Sequence, residues 1–291
     1  MNTAANPPIL RGLHELASDY DALICDVWGV VHNGREPNPA TVDALQGFRA
    51  SRGPVILLTN APRIAADVRS QFDRIGVPHD CYDAIVTSGQ AARDDLVLRA
   101  SAAKPLALFN LGPERDRATY DGVPLSLVPA DEADLVLCTG LFDDETETPD
   151  DYRGMLEGFR SRDLLMICAN PDVTVRRGDT AVYCAGAIAR AYETVGGKVL
   201  YYGKPHPPIF EAAIAQARRF GAARRPLVVG DGLETDIRGA NRMGWDALFV
   251  SGGLFGVEIG SLTGDRAAER LGELFVEHDV HARAVMTTLA W

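Results

Sequence analysis

Four short apolar runs, each closed by a different polar residue, constrain this chain more than any other feature: "ALICD", "VILLT", "VLYYGK" and "PLVVGD" end on Asp26, Thr59, Lys204 and Asp231. Such runs, bounded by turn-forming residues, read as buried strands. Between the first two, "ATVDALQGFRASRG" has apolar residues at helical spacing and stops at Gly53; "IAADVRSQFDRIGV" repeats the pattern and stops at Gly76. "DAIVTSG" is a further strand. Strand–helix alternation of this kind calls for right-handed crossovers and a parallel sheet. The same grammar resumes with "VLYYGKP" (strand), "PIFEAAIAQARRFG" (helix), "PLVVGDG" (strand), "TDIRGANRMG" (helix) and "DALFVSGG" (strand). Pro207 and Pro208 suit a first helical turn, where a missing N–H leaves no bond unmade. The expected class is α/β, with a Rossmann-like doubly wound parallel-sheet core. In such sheets ligands bind beyond the carboxyl ends of the strands, where all four polar residues fall.

The middle of the chain carries strands of its own, "PLALFNLG", "ADLVLCTGLF" and "LLMICANPD", with "DYRGMLEGFRSR" and "GAIARAYETVGG" as helices between and after them. A simple crossover unit needs only about 30 residues. The stretch is therefore read as an inserted α/β cap domain over residues 90–198, with residues 1–89 and 199–291 forming the core. An insertion over the strand tips would act as a lid and select the substrate. The length of 291 residues suits two domains.

A net charge of −11 argues against non-specific nucleic-acid or anionic-membrane binding, which needs basic stripes. No run reaches the roughly 18 apolar residues of a membrane span, and the first residues lack the pattern of a signal peptide. The five cysteines form no C-x-x-C pair and mostly sit in apolar runs, so reduced thiols and a cytoplasmic location are expected.

The stretch "VVGDGLETDIRGA" adds a second acid, Asp236, five residues after Asp231 and at a helix start. Singly, Asp236 suits a helix N-cap and Asp231 a turn. Together with Asp26 they would form a hard, oxygen-rich site that suits Mg²⁺ better than zinc.

In this order, "CDVWGVVHNG", "LLTNA", "GKPHPPIF" and "GDGLETD" resemble the four motifs of the haloacid dehalogenase superfamily. The match is to subclass IIA, which has an α/β cap between the second and third motifs and includes nucleotide- and nitrophenyl-phosphatase-like enzymes. "NPD" (Asn170–Asp172) and "GAIA" (Gly186–Ala189) in the cap resemble it too. The resemblance implies a Mg²⁺-dependent phosphohydrolase in which Asp26 is the nucleophile and forms an aspartyl-phosphate. Mg²⁺ would be held by Asp26, Asp231 and the backbone carbonyl of Trp28, with Asp236 supporting the shell. Thr59 and Lys204 would hold the phosphoryl oxygens; Asn60 would add a donor there, with a turn role equally open. The implied substrate is a small phosphorylated metabolite, a sugar phosphate or nucleoside monophosphate, and the implied assembly a homodimer.

Trp28 departs from the pattern. In phosphatases of the superfamily an acid at this position protonates the leaving oxygen and later activates water, which an indole cannot do. General acid–base help is worth typically 10²–10⁴-fold, about 3–5 kcal/mol of barrier. Three readings follow. The first is still a phosphatase, slow or selective for good leaving groups, or borrowing an acid such as His32, Asp143 or Asp144. The second is shifted chemistry of phosphotransferase, phosphonatase or dehalogenase type. The third is a catalytically impaired phosphometabolite-binding or regulatory protein, although binding alone would not need the nucleophile. The acidic tract "LFDDETETPDD" and the arginines Arg115 and Arg117 would tune the substrate only if they faced the site. The end of the chain reads as a helix and an apolar tail packed on the core, with His278 and His281 at the surface.

Overall fold

The computed structural model describes residues 7–100, 106–177, 180–260, 262 and 264–291. In chain order its first strands are β1 (Ala22–Asp26), β2 (Val55–Thr59), β3 (Ala84–Thr87), β4 (Leu106–Leu111), β5 (Leu125–Leu127) and β6 (Leu135–Cys138). There follow β7 (Leu165–Cys168), β8 (Thr174–Arg177), β9 (Thr180–Tyr183), β10 (Lys198–Tyr201), β11 (Pro226–Gly230), β12 (Asp246–Val250) and β13 (Ala284–Met286). The chain separates into two compact units, one of Met1–Thr59, Arg69–Val86 and Phe210–Trp291, the other of Asn60–Val68 and Thr87–Ile209.

The first unit holds a six-stranded sheet in the order β13-β12-β11-β1-β2-β3. β1 runs parallel to both neighbours, with Leu23 opposite Val55 on one side and Leu227 on the other. β1, β2 and β11 are buried along their whole length, as strands covered on both faces must be. The helix Pro39–Ser51 starts where Asn38 Oδ1 accepts the N–H groups of Ala40 and Thr41, and it buries Val42, Leu45 and Phe48. From β1 the chain builds outward to β2 and β3, then returns to the other side of β1 with β11. The topological switch point therefore lies between β1 and β11. The final helix, Asp265–Glu277, is followed by β13 at the sheet edge, where the apolar tail was expected only to pack. Three residues are too few for the sequence pattern to mark a strand.

The second unit has a five-stranded sheet, β10-β7-β6-β4-β5, and a separate antiparallel ribbon of β8 and β9. One face packs on Phe159, Ile188 and Tyr192, the other on Ala92, Leu96 and Tyr120. β10 corrects the expectation that "VLYYGKP" continues the core sheet. It pairs in parallel with β7, Lys198 opposite Leu165, while Val199 and Tyr201 lean on the apolar cluster of that unit. Asn60–Val68 also belongs here: Thr119 Oγ1 donates to the Pro62 carbonyl at 2.9 Å and Thr87 Oγ1 to that of Arg63 at 2.6 Å. The division thus differs from the expected 90–198 insertion, because an apolar run does not declare which of two sheets it joins. Among the described residues no helix is long and apolar enough to cross a membrane. All five cysteines are buried and none is in a disulfide.

Candidate active site

β1 delivers Asp26 to the carboxyl edge of the first unit's sheet, and β11 delivers Asp231 just past its own end, so the two flank the switch point. Gly29, with φ +84°, turns the chain beside Asp231 so closely that a Cβ there would lie 2.3 Å from Asp231 Oδ2. A Cβ on Gly253 would lie 2.0 Å from the same oxygen. That oxygen accepts the Leu254 N–H at 2.9 Å. Only glycine lets both loops close on the carboxylate. Asp236 sits in a π-helical turn, Leu233–Ile237, and its carboxylate accepts the Gly232 N–H and the Thr235 hydroxyl, each at 3.2 Å.

Asp26, Asp231 and Asp236 each offer an oxygen within 4.8 Å of the others, and all three are buried, at 7%, 3% and 2% exposure. At an effective dielectric of about 20, two unit charges at that spacing repel by roughly 3–4 kcal/mol. Three buried acids gathered so closely fit a cation, and an all-oxygen donor set fits Mg²⁺ or Ca²⁺. Asp236, which also suited a helix N-cap, is thus part of this cluster. Thr59 closes β2 next door, one residue past Leu58, the register partner of Asp26, and is also buried.

Trp28 stands two residues past Asp26 and is 44% exposed. His32 packs against it. It is buried, meets Trp28 edge-on at 5.4 Å and Phe72 at 5.7 Å, and accepts the Gly34 N–H at Nδ1 (2.9 Å). It is a wall residue whose acceptor nitrogen is already engaged by the backbone.

In the second unit Asn60 grips Lys204 at both ends of its main chain. Asn60 Oδ1 accepts the Lys204 N–H at 2.7 Å, and Nδ2 donates to the Lys204 carbonyl at 3.1 Å and to Asp172 Oδ1 at 2.8 Å. Both amide hydrogens have protein acceptors, so the carboxamide is engaged in positioning Lys204. Gly203 leaves room for this, since a Cβ there would lie 2.4 Å from the Pro171 ring and 2.6 Å from Asn60 Oδ1. The roles of Asp172 and Gly203 escaped sequence reasoning: "NPD" was visible as a motif, but its contact is made across 112 residues of chain.

The acidic tract folds on itself. Asp143 accepts the Glu145 N–H and the Thr146 hydroxyl, and this backbone bond first of all holds its pKa below the usual carboxylate value. Asp144 pairs with Arg115, and Arg117 with Glu114 at 3.1 Å. Asp116, buried in the turn Glu114–Thr119, gave no signal in sequence; burial raises its pKa to about 6. His278 Nδ1 meets Glu234 Oε1 at 2.6 Å, a surface pair rather than part of a metal cluster. A cleft of about 690 Å³ opens at the opposite, amino end of the first sheet, beside Asp21, Arg49, Asp83 and Phe220. Its acids are already bonded, Asp83 to Arg49 and Asp21 to the N–H groups of Arg224 and Arg225, so it presents no comparable chemistry.

A family model described as haloacid dehalogenase-like hydrolase matches residues 23–122, and a second, HAD-hydrolase-like, matches residues 201–274. A crystal structure of a hydrolase of the haloacid dehalogenase-like family from Brucella suis 1330 is 41% identical, covers 97% of this chain and 100% of its own, and has a TM-score of 0.81. The D-glycerol 3-phosphate phosphatase of Mycobacterium tuberculosis is 27% identical over 262 residues, 83% of this chain and 66% of that protein, just under two thirds of its length. The crystal structure of a glycerol phosphate phosphatase from the same organism, in complex with magnesium, is 29% identical with a TM-score of 0.63 and covers 82% of this chain and 70% of its own.

Proposed function

Because this chain belongs to the haloacid dehalogenase-like hydrolases, we propose that it is a Mg²⁺-dependent phosphohydrolase. Its substrate is a small phosphorylated metabolite, of sugar phosphate or nucleoside monophosphate type, and it works through an aspartyl-phosphate on Asp26. The observation that carries this is the buried trio Asp26, Asp231 and Asp236 at the β1/β11 switch point. Asp26, Asp231, Asp236 and the main-chain carbonyl of Trp28 would hold the cation, which supplies positive charge to the phosphoryl oxygens and offsets the three carboxylates. Asp26 attacks phosphorus in line with the departing oxygen. The Thr59 hydroxyl donates to an equatorial phosphoryl oxygen, and the Lys204 ammonium neutralises the charge that builds there. Asn60 acts one step back, by fixing the Lys204 backbone. The second unit is read as the cap that selects the substrate. Five buried cysteines outside any disulfide go with a reducing, cytoplasmic location, and a homodimer is the assembly this reading carries.

One observation favours a second reading. Trp28 leaves the turn after Asp26 without a proton donor, as a protein that binds a phosphorylated metabolite and turns it over poorly would have it. Hydrolysis of an activated aryl phosphate and a panel of sugar and nucleoside monophosphates, with and without Mg²⁺, separates the two. Metal-dependent turnover that Asp26→Asn abolishes is expected. Mg²⁺-dependent binding of phosphate with no turnover of any ester would establish the binding protein instead.

A further inference from the structure

His278 reads in sequence as a surface histidine, yet it touches both loops that carry acids of the first unit's site. The turn Leu233–Ile237 bears Asp236, and two residues earlier in it Glu234 is held on both carboxylate oxygens. Arg238 donates from Nε to Oε2 at 2.7 Å and from Nη2 to Oε1 at 3.0 Å. His278 Nδ1 donates to Oε1 at 2.6 Å, and its main-chain carbonyl accepts Arg238 Nη2 at 2.6 Å. A closed ring of three residues thus joins the turn, the helix Arg238–Met243 and the end of the helix Asp265–Glu277. Asp279 ends that last helix in the left-handed region, at φ +45°, with its N–H on the Val276 carbonyl at 3.1 Å. Beyond it, Asn241 Oδ1 accepts the His281 N–H and Nδ2 donates to the His281 carbonyl, both at 2.9 Å. The His278 ring also meets Phe255 edge-on at 6.3 Å. Phe255 follows Leu254, whose N–H donates to Asp231 Oδ2 at 2.9 Å, and leans on Phe249 of β12 at 5.8 Å.

An isolated exposed ion pair restrains little, and the Glu234 side chain is 55% exposed. Here one carboxylate takes a forked guanidinium and an imidazole together, and the imidazole is anchored in turn by its own backbone. Bidentate geometry within a network is the case in which a surface pair does hold its residues. Glu234 and Asp236 share one five-residue turn, so a shift of the first carries the second with it. This deepens the phosphohydrolase reading and rests on its metal site: we infer that His278, Glu234 and Arg238 are positioning residues for Mg²⁺, holding the loops of Asp231 and Asp236 without touching the ion. The physical need is plain. Three buried carboxylates within 4.8 Å push one another apart when no cation lies among them. A clamp outside the cluster opposes that push and keeps the donors gathered before the ion arrives. Partners that orient metal ligands from behind are worth about 10–100-fold in affinity.

Calorimetric titration of the substrate-free protein with Mg²⁺ tests it, for the wild type, Glu234→Gln, His278→Phe and His278→Asn, with thermal unfolding of each in EDTA. His278→Phe keeps a ring for Phe255 and removes the donor to Glu234; His278→Asn returns an N–H near the place of Nδ1. Glu234→Gln and His278→Phe should raise the Kd for Mg²⁺ about tenfold, the low end of what such partners supply. His278→Asn should bind Mg²⁺ as the wild type does, and the metal-free Tm should change little in all three, as for other exposed pairs. Wild-type Mg²⁺ affinity in Glu234→Gln and His278→Phe overturns the clamp and leaves the phosphohydrolase standing. So does a loss that His278→Asn shares, or one matched by a fall in metal-free Tm, since either marks a structural role alone. A wild type that binds no Mg²⁺ overturns both.

Discussion

A single carboxyl group, Asp116, shows how little residue type says about cost. In "GPERDRATYDG" it looks like one more solvated acid, yet it is 4% exposed and burial, ahead of the opposing pull of Arg115 and Arg63, lifts its pKa to about 6. Between its unfolded value of 3.8 and about 6 the folded chain binds the proton that the unfolded chain has released, so stability falls as pH rises through that window. Above it the loss is complete and amounts to about 2–3 kcal/mol. Asp116→Asn should therefore stabilise the protein by up to about that amount at pH 8 and by little at pH 4. Urea unfolding at both pH values measures it, and an equal effect at the two would show that the charge is not the cause. The glycines around Asp231 make the converse point. Gly29 and Gly253 carry no chemistry, but a Cβ at either would occupy the place of the carboxylate oxygen.

At the scale of elements, the loop after β2 and the segment after β10 are tied together by one side chain. Asn60 holds both main-chain groups of Lys204 and reaches Asp172. Asn60→Ala leaves a buried N–H and carbonyl without this partner, at about 1–3 kcal/mol for each group left unsatisfied. The expected result is a loss of about 2–3 kcal/mol in unfolding free energy together with a fall of about tenfold or more in kcat/KM, since a misplaced positioning residue costs rate as well as stability. A variant with wild-type kinetics would show that Lys204 is placed without Asn60. β10 shows the limit of reading elements one at a time. Its strand character was legible in "VLYY", but its membership of the second sheet depends on pairing with β7, which no local pattern encodes.

For the whole molecule, a cation held by the three clustered carboxylates would couple metal binding to stability. A cation that binds only the folded chain adds about 2.7 kcal/mol at a concentration 100 times its Kd. Chelation should lower Tm by several degrees, and Asp231→Asn should abolish that response while raising the Tm of the metal-free protein, because one of three crowded charges is gone. Thermal unfolding with Mg²⁺ and with EDTA checks both; an undiminished Mg²⁺ response in Asp231→Asn would remove Asp231 from the metal site. The alternation of apolar runs and helical segments determined the α/β class, because burial on both faces of a parallel sheet leaves a continuous apolar signature. It also placed Asp26, Thr59 and Asp231 at strand ends, because a polar residue closing such a run has nowhere else to go. The tertiary structure alone decided that Asn60 serves Lys204, that His32 supports an indole and that Asp116 is buried. Each of these is a contact between residues brought together by sheet order and loop packing, and short-range sequence pattern carries no record of such distances.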